Sequence, residues 1–120
     1  MITLVLASSS PYRRELLSRF KLPFDVFNPD IDESPRTAEK AKEISVRLAR
    51  EKAFKVAPHY SSSLIIGSDQ TAEFNNKEVR KPLSIEKAFI QLNELSGQTI
   101  NFYSGVCLKN MNKNIINYYL

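Results

Sequence analysis

The sequence predicts an α/β fold in which a mixed sheet is flanked by helices. Short apolar runs alternate along the chain with segments of helical periodicity, which is the pattern of a layered α/β domain. The first run, Ile2–Ala7, is apolar almost throughout, so we expect a strand that is covered on both faces. The 120 residues suffice for one domain with a single modest core.

The remaining strands are predicted where apolar runs lie between turn or helix-breaking residues. Lys21-Leu22-Pro23 separates the first helix from the second strand, because the residue before a proline disfavours helix. Asn75-Asn76 is typical of a turn, and 110–114 joins the last two predicted strands. These strands are Phe24–Asn28, Leu64–Ile66 with an extension to Gln70 or Phe74, Asn101–Leu108 and Ile115–Leu120.

Three helices are predicted from apolar positions spaced three and four residues apart. Ser10 caps the first helix ahead of Pro11, and Ser84 caps the third, which ends near Gly97. The predicted ranges are Pro11–Phe20, Ala38–Val56 and a third helix between Ser84 and Gly97. The expected core faces are Leu16, Leu17 and Phe20 in the first helix, and Ile85, Ala88, Phe89, Leu92 and Leu95 in the third.

Composition and charge argue against several classes of protein. Cys107 is the single cysteine, so no intramolecular disulfide can form, and we expect a protein of the reducing cytoplasm. No apolar run approaches the roughly 20 residues of a membrane helix, and no secretory signal is expected. The net charge of +4 suits an anionic ligand. The 17 basic residues are scattered, however, and are not interleaved with aromatics as in a single-strand nucleic-acid binder.

Several familiar catalytic motifs are absent from the sequence. It contains no Walker-type phosphate loop, no GxGxxG dinucleotide motif, no paired CxxC and no HExxH. His59 is the single histidine, which argues against a serine–histidine triad. Candidate chemistry therefore lies in the turns that follow the apolar strands.

The turn Ser8-Ser9-Ser10-Pro11 leads directly from the first strand into the first helix. Arg13 and Arg14 lie in the first helical turn, where the helix macrodipole would favour carboxylates over cations. Hydroxyls, backbone N–H groups and two guanidiniums at one helix N-terminus suit a phosphate chain. The residues by themselves leave open an ordinary capped helix whose arginines pair with surface acids.

The second helix carries a lysine within its apolar face. Lys52 falls near the middle of a stripe formed at about 100° per residue by Ala41, Ile44, Leu48, Ala49, Ala53 and Val56. A lysine there must extend its ammonium group to solvent, pair with a buried acid, or point into a polar pocket. The sequence by itself leaves these three outcomes open.

Carboxylates flank the predicted phosphate site in two places. Asp69 follows the apolar run of the third strand, where open α/β sheets bind their ligands, although a turn-forming aspartate is the alternative. If the first and third strands are parallel, Asp69 and the serine turn face one crevice. The acidic loop, Pro29–Thr37, adds Glu33 as a candidate ligand of a hard cation, whereas Asp30 and Asp32 are expected to be solvated.

A series of spaced motifs along essentially the whole chain resembles the Maf family of nucleoside triphosphate pyrophosphatases. The matched segments are 6–14, 32–35, 48–53, 65–70, 81–82, 96–98 and 102–106. The resemblance implies a sheet like that of inosine triphosphatases and a single Maf-like domain over residues 1–120. Family members continue well beyond this length, so we expect the second lobe and the C-terminal part of that domain to be incomplete.

The resemblance also implies a reaction and a set of site residues. The reaction is hydrolysis of a nucleoside triphosphate to the monophosphate and pyrophosphate, with a divalent cation, Mg²⁺ or Mn²⁺, as cofactor. Asp69 would be the catalytic base or position the metal, and Glu33 and Asp69 would be the metal ligands. The implied substrate-binding residues are Ser8, Ser10, Tyr12, Arg13, Arg14, Lys52, Gln70 and Lys81.

Two features resemble the branch of the family that acts on 7-methyl-GTP. Gln70 follows Gly-Ser-Asp, and Tyr12 stands where the branch more often has tryptophan; either ring can stack on a positively charged methylated purine. A dTTP- or UTP-type pyrophosphatase and a nucleotide-binding fragment without catalysis remain open. The expected partners are the nucleotide and a second copy of the chain, with no membrane and no specific nucleic acid.

Overall fold

The computed structural model describes residues 3–111 and the backbone of residues 118 and 119. Six strands form one sheet. They are β1 (Leu4–Ala7), β2 (Phe24–Phe27), β3 (Leu64–Phe74), β4 (Lys77–Val79), β5 (Asn101–Lys109) and β6 (Tyr118–Tyr119). The helices are α1 (Pro11–Ser18), α2 (Ala41–Val56) and α3 (Ile85–Leu95), and a short 3-10 turn at Ala57–His59 follows α2.

The sheet is mixed, as predicted. β1 lies between β2 and β3 and runs parallel to both, with Ala7 opposite Gly67 of β3. β5 and β4 pair with β3 in antiparallel fashion, and β6 pairs with β5 in the same way. Because β1 ends opposite Gly67 and β4 ends opposite Ala72, no strand in the described part of the chain pairs with residues 68–71 on that side. This gap in the sheet lies beside the turn that follows β1.

α2 packs against β3 and β5 and supplies the main core. Two glycines permit this approach: a Cβ at Gly67 would overlap the carbonyl oxygen of Ala49, and a Cβ at Gly105 would overlap the backbone of Ser45. The fully buried cluster around these contacts includes Val5, Ala7, Ala49, Ala53, Val56, Ile65 and Cys107. The apolar face predicted for this helix is therefore confirmed.

Element boundaries differ from the prediction where the backbone turns sharply. α2 begins at Ala41 rather than Ala38, because Ala38 has φ +63° and Lys40 is extended as the N-cap residue. β3 continues to Phe74 and reverses through Asn75 and Asn76, both with positive φ, into β4, a strand that the sequence did not predict. Apart from the backbone of 118–119, the last predicted strand lies outside the described residues.

The core faces predicted for the first and third helices are wrong. Leu16 and Leu17 of α1 are half-buried, Phe20 lies beyond the helix end and is exposed, and no residue of α3 is fully buried. The exposed apolar residues in and before α3 are Leu83, Ile85, Phe89, Ile90 and Leu92. Periodicity predicts which side chains share a face, but their burial requires that another element pack against that face. Among the described helices, only α2 has fully buried residues. None of the described helices is long and apolar enough to cross a membrane.

Candidate active site

The turn after β1 has the geometry of a helix cap, as predicted. Ser10 is extended, its Oγ accepts a hydrogen bond from the Arg13 amide at 3.3 Å, and Pro11 occupies the first helical position. Ser8 is buried, and its hydroxyl accepts a hydrogen bond from the Ser10 amide at 2.9 Å. The Ser8 amide donates to the Phe27 carbonyl at 3.1 Å, which ties the turn to the end of β2. The N-terminus of α1 is thereby held at the carboxyl ends of the parallel strands.

An open cavity of about 970 Å³ lies between α1 and β2 beside this turn. Its polar wall includes Ser8–Ser10, Arg14 and Asn28, while Glu15 also lines it and pairs with Arg19 at 3.0 Å. The helix N-terminus and the Arg14 guanidinium both contribute positive potential, so this end of the cavity suits an anionic group.

Lys52 pairs with acids, which is one of the three outcomes left open by the sequence. α2 lies close over Gly67 and brings the Lys52 ammonium group down to the end of the parallel strands. Its Nζ lies 3.0 Å from Asp69 Oδ1 and 2.9 Å from Glu33 Oε1, and it donates to the Ser68 carbonyl at 3.4 Å. A buried ammonium group therefore has three oxygen partners, two of them carboxylates.

Asp69 is a buried carboxylate two residues beyond the end of the β1–β3 pairing. Burial raises its pKa above the ordinary value of an aspartate, and the Glu33 carboxylate raises it further. The Lys52 ammonium and the Arg13 guanidinium oppose this rise. A carboxylate whose pKa is shifted toward neutrality is better matched to proton transfer near neutral pH. Asp69 is thus chemically suited to act as a base.

Glu33 reaches this pair from the acidic loop. Its side chain is 57% exposed, yet its carboxylate contacts Lys52 across the gap beside β3. Asp32 faces away into a local turn, where its Oδ1 accepts a hydrogen bond from the Ser34 amide at 2.9 Å, and Asp30 is exposed. Of the three acids in this loop, Glu33 is therefore the one that contacts Lys52, and its role as a metal ligand stays a prediction.

Other predicted site residues are not in contact with the Lys52–Asp69 pair. Tyr12 is 69% exposed, and Lys81 is exposed in the connection after β4. Gln70 follows Asp69 in an extended strand, so its side chain points to the opposite face of the sheet. There its Nε2 donates to Ser104 Oγ at 3.4 Å.

An ion-pair network that the sequence did not predict anchors the acidic loop to α2. Arg47 donates to Glu39, Glu51 and the carbonyl of Ser34, and Arg36 pairs with Glu51 at 2.9 Å. The sequence could have indicated the pair of Arg47 and Glu51, because they are four residues apart on a helix. The bonds of Arg47 to Ser34 and Glu39 join separate segments, which helical spacing does not predict.

Comparison with solved structures shows the class of fold. The Staphylococcus aureus Ham1 protein aligns with a TM-score of 0.62 at 17% identity, over 98% of this chain and 67% of that one. A nucleoside-triphosphatase, the dITP/XTP pyrophosphatase of Mycobacterium abscessus, aligns with a TM-score of 0.59 at 15% identity, over 98% of this chain and 70% of that one. The predicted inosine-triphosphatase-like α/β fold is therefore confirmed.

Comparison of sequences then identifies the family. The model of the family described as Maf, Maf-like protein, matches residues 3–118, and the chain belongs to this family. A Ralstonia nicotianae protein named 7-methyl-GTP pyrophosphatase is 50% identical over 105 residues, which are 88% of this chain and 54% of that protein. A Pseudomonas aeruginosa protein of the same name is 48% identical over 110 residues, covering 92% of this chain and 57% of that protein. The chain spans about half the length of these curated relatives.

Proposed function

We propose that this chain carries the catalytic site of a nucleoside triphosphate pyrophosphatase whose substrate is 7-methyl-GTP. The observation that carries the proposal is the convergence of Asp69, Lys52 and Glu33 beside the Ser8–Ser10 turn. A buried carboxylate with a raised pKa, a buried ammonium group and a helix N-terminus at the carboxyl ends of the parallel strands support the proposal. The relatives named 7-methyl-GTP pyrophosphatase support the choice of substrate.

In the proposed reaction, water attacks the α-phosphorus and its proton passes to the Asp69 carboxylate. The bond between the α-phosphorus and the bridging oxygen breaks, and pyrophosphate leaves with that oxygen, so the products are the nucleoside monophosphate and pyrophosphate. Lys52 and Arg13 counter the charge that develops on the phosphoryl oxygens, and Ser8, Ser10, Arg14 and Lys81 hold the triphosphate. Burial raises the pKa of Asp69, which favours this transfer.

We propose Glu33 and Asp69 as the carboxylates that would hold a divalent cation. Both already contact the Lys52 ammonium group, at 2.9 and 3.0 Å, so a cation would share them with Lys52. Mg²⁺ is held in proteins by one or two carboxylates together with substrate phosphates and water. No group of three metal-ligating side chains was found among the described residues, so phosphate oxygens would complete the coordination. When bound, Mg²⁺ or Mn²⁺ would lower the pKa of a bound water and neutralise phosphate charge.

Tyr12 and Gln70 are the proposed base-reading residues. The exposed Tyr12 ring lies at the N-terminus of α1 and can stack on a methylated purine, whose positive charge favours contact with an aromatic face. Gln70 offers an amide on the other face of the sheet beside the gap. We place the reaction in the cytoplasm, where Cys107 stays reduced, and propose a homodimer as the assembly.

The direct test is pyrophosphate release from 7-methyl-GTP, GTP, dTTP and UTP, with and without Mg²⁺ or Mn²⁺. We expect metal-dependent release that is fastest with 7-methyl-GTP. Asp69→Asn should lower kcat by at least about 10²-fold, the contribution of a general base, while the Kd for nucleotide stays within a few-fold of the parent value. Full turnover in Asp69→Asn would refute the role of Asp69, and faster release from dTTP or UTP would refute the choice of base.

A second candidate function is nucleotide binding without hydrolysis. It is favoured by one observation: the chain spans 54% and 57% of the two relatives, so residues outside it can contribute to their sites. Calorimetric titration with 7-methyl-GTP distinguishes the two functions. Binding of the nucleotide with no pyrophosphate released would support this second function over the first.

A further inference from the structure

The Arg47 guanidinium joins the middle of α2 to the acidic loop. Its Nη2 donates to the Ser34 carbonyl at 3.0 Å and to Glu39 Oε1 at 2.9 Å, its Nε donates to Glu39 Oε2, and its Nη1 donates to Glu51 Oε2 at 3.0 Å. All three nitrogens are therefore used. The side chain is only 14% exposed, and Glu39 is only 9% exposed, so solvent screens their ion pair weakly.

Pro29 at the start of the acidic loop is buried, but the segment around Glu33 is attached to the rest of the fold by a few polar contacts. Residues 32–38 are all exposed, so packing does not hold them in place. The hydrogen bond from the Ser34 amide to Asp32 shapes the loop locally but does not attach it to the rest of the fold. Three contacts attach it to α2: the bond from Arg47 to the Ser34 carbonyl, the pair of Glu33 with Lys52, and the pair of Arg36 with Glu51, in which Arg36 is 67% exposed. Exposed pairs contribute little to order or stability.

Glu33 directly precedes the residue that Arg47 holds. Its carboxylate lies 2.9 Å from Lys52 Nζ although its side chain is 57% exposed. An exposed carboxylate on an unpacked loop keeps such a position when the backbone beside it is fixed. The contact from Arg47 to the Ser34 carbonyl supplies that restraint one residue away.

We propose that Arg47 is the positioning residue that holds Glu33 over Lys52 and Asp69. The functional consequence rests on the proposed pyrophosphatase activity: Arg47 acts on turnover through Glu33 and not on the phosphates or on Asp69. Lysine cannot replace it, because a single ammonium group does not reproduce the planar fork that serves Glu39 and the Ser34 carbonyl together.

The structural test measures backbone ¹⁵N order parameters by NMR in the parent chain and in Arg47→Lys. We expect the order parameters of residues 31–36 to fall from near the rigid-backbone value to about 0.6 or below, while those of α2 stay unchanged. Arg19→Lys is the matched control, because the same substitution there affects an exposed ion pair with Glu15 within α1. Unchanged order parameters in Arg47→Lys would overturn the proposal.

A second variant keeps the structural test decisive if Arg47→Lys fails to fold. Glu39→Gln retains Arg47 but removes the carboxylate that receives two of its hydrogen bonds and one from the Arg36 amide. We expect the same loss of order in residues 31–36. A folded Glu39→Gln variant with a loop as rigid as in the parent would overturn the proposal.

The kinetic test is a double-mutant cycle with Glu33→Gln, read as pyrophosphate release from 7-methyl-GTP. Arg47→Lys should lower kcat/KM about tenfold in the parent and should cause no further loss in the Glu33→Gln background. Equal losses in both backgrounds would overturn the proposal. If the parent releases no pyrophosphate, the proposed function fails, and the order parameters still decide whether Arg47 holds the loop.

Discussion

Replacing Lys52 by methionine removes the cation shared by two carboxylates and keeps most of the side-chain volume. Lys52 and Asp69 lie 3.0 Å apart, and their side chains are 8% and 10% exposed. Two unit charges at this distance interact by about 5.5 kcal/mol at an effective dielectric constant of about 20. Desolvation of the ammonium group offsets part of that attraction. We therefore expect Lys52→Met to lower the free energy of unfolding by about 3 kcal/mol at neutral pH.

The size of this loss should depend on pH through Asp69. Burial raises the pKa of Asp69 while Lys52 opposes the rise, so in the variant the folded-state pKa lies further above the unfolded-state value. A raised carboxyl pKa contributes stability below the unfolded-state pKa, and that contribution is lost as the pH rises through the folded-state pKa. The variant should therefore be closest to the parent in acid and furthest from it at neutral and alkaline pH.

Urea unfolding followed by circular dichroism measures this difference at about pH 5 and about pH 8. Lys55→Met is the matched control, because Lys55 is exposed on the same helix and its loss should change stability by less than about 0.5 kcal/mol at either pH. The outcome that contradicts this expectation is a loss of unfolding free energy in Lys52→Met that is no larger than in Lys55→Met, or that is equal at both pH values. Either result would show that the buried pair does not stabilise the fold.

Two further changes test the geometry that builds the site. Gly67→Ala should lower the free energy of unfolding by about 1–3 kcal/mol and weaken nucleotide binding. Its Cβ would overlap the Ala49 carbonyl and push α2, with Lys52, away from the sheet. An unchanged Tm in thermal unfolding would contradict this contact. Ser10→Ala should lower the free energy of unfolding by about 1 kcal/mol, because it removes the acceptor for the Arg13 amide. Urea unfolding measures this loss. A loss equal to that of Ser9→Ala would show that the cap contributes nothing.

Local chemistry made part of the site predictable from the sequence. The cap at Ser10 and Pro11 depends on residues within one turn, so the pattern alone predicted its place. Lys52 was recognisable because a lysine in an apolar stripe requires a special environment, but the stripe does not say which one. That Asp69 is its partner depends on the parallel register of β1 and β3 and on the closeness of α2, which are long-range properties.

Features that join distant segments were not predictable. Arg47 and Ser34 are 13 residues apart with an irregular loop between them, so no period relates them. The exposed apolar face of α3 is a second example: Phe89 and Leu92 have helical spacing and yet are 65% and 66% exposed. Amphipathic spacing reports how a helix can pack, and the presence of a packing partner is a property of the rest of the fold.

Three placements together produce the chemistry of this edge of the sheet. The short β1 ends opposite Gly67, so residues 68–71 of β3 have no strand neighbour on that side in the described structure. The turn that follows β1 leads directly into α1. Gly67 itself lets α2 lie low enough for Lys52 to reach Asp69. The acidic loop then closes over the pair through Glu33, held by Arg47. Because the first two placements arise from the core and the third from an ion-pair network between α2 and a loop, perturbing Arg47 should change turnover far more than it changes folding.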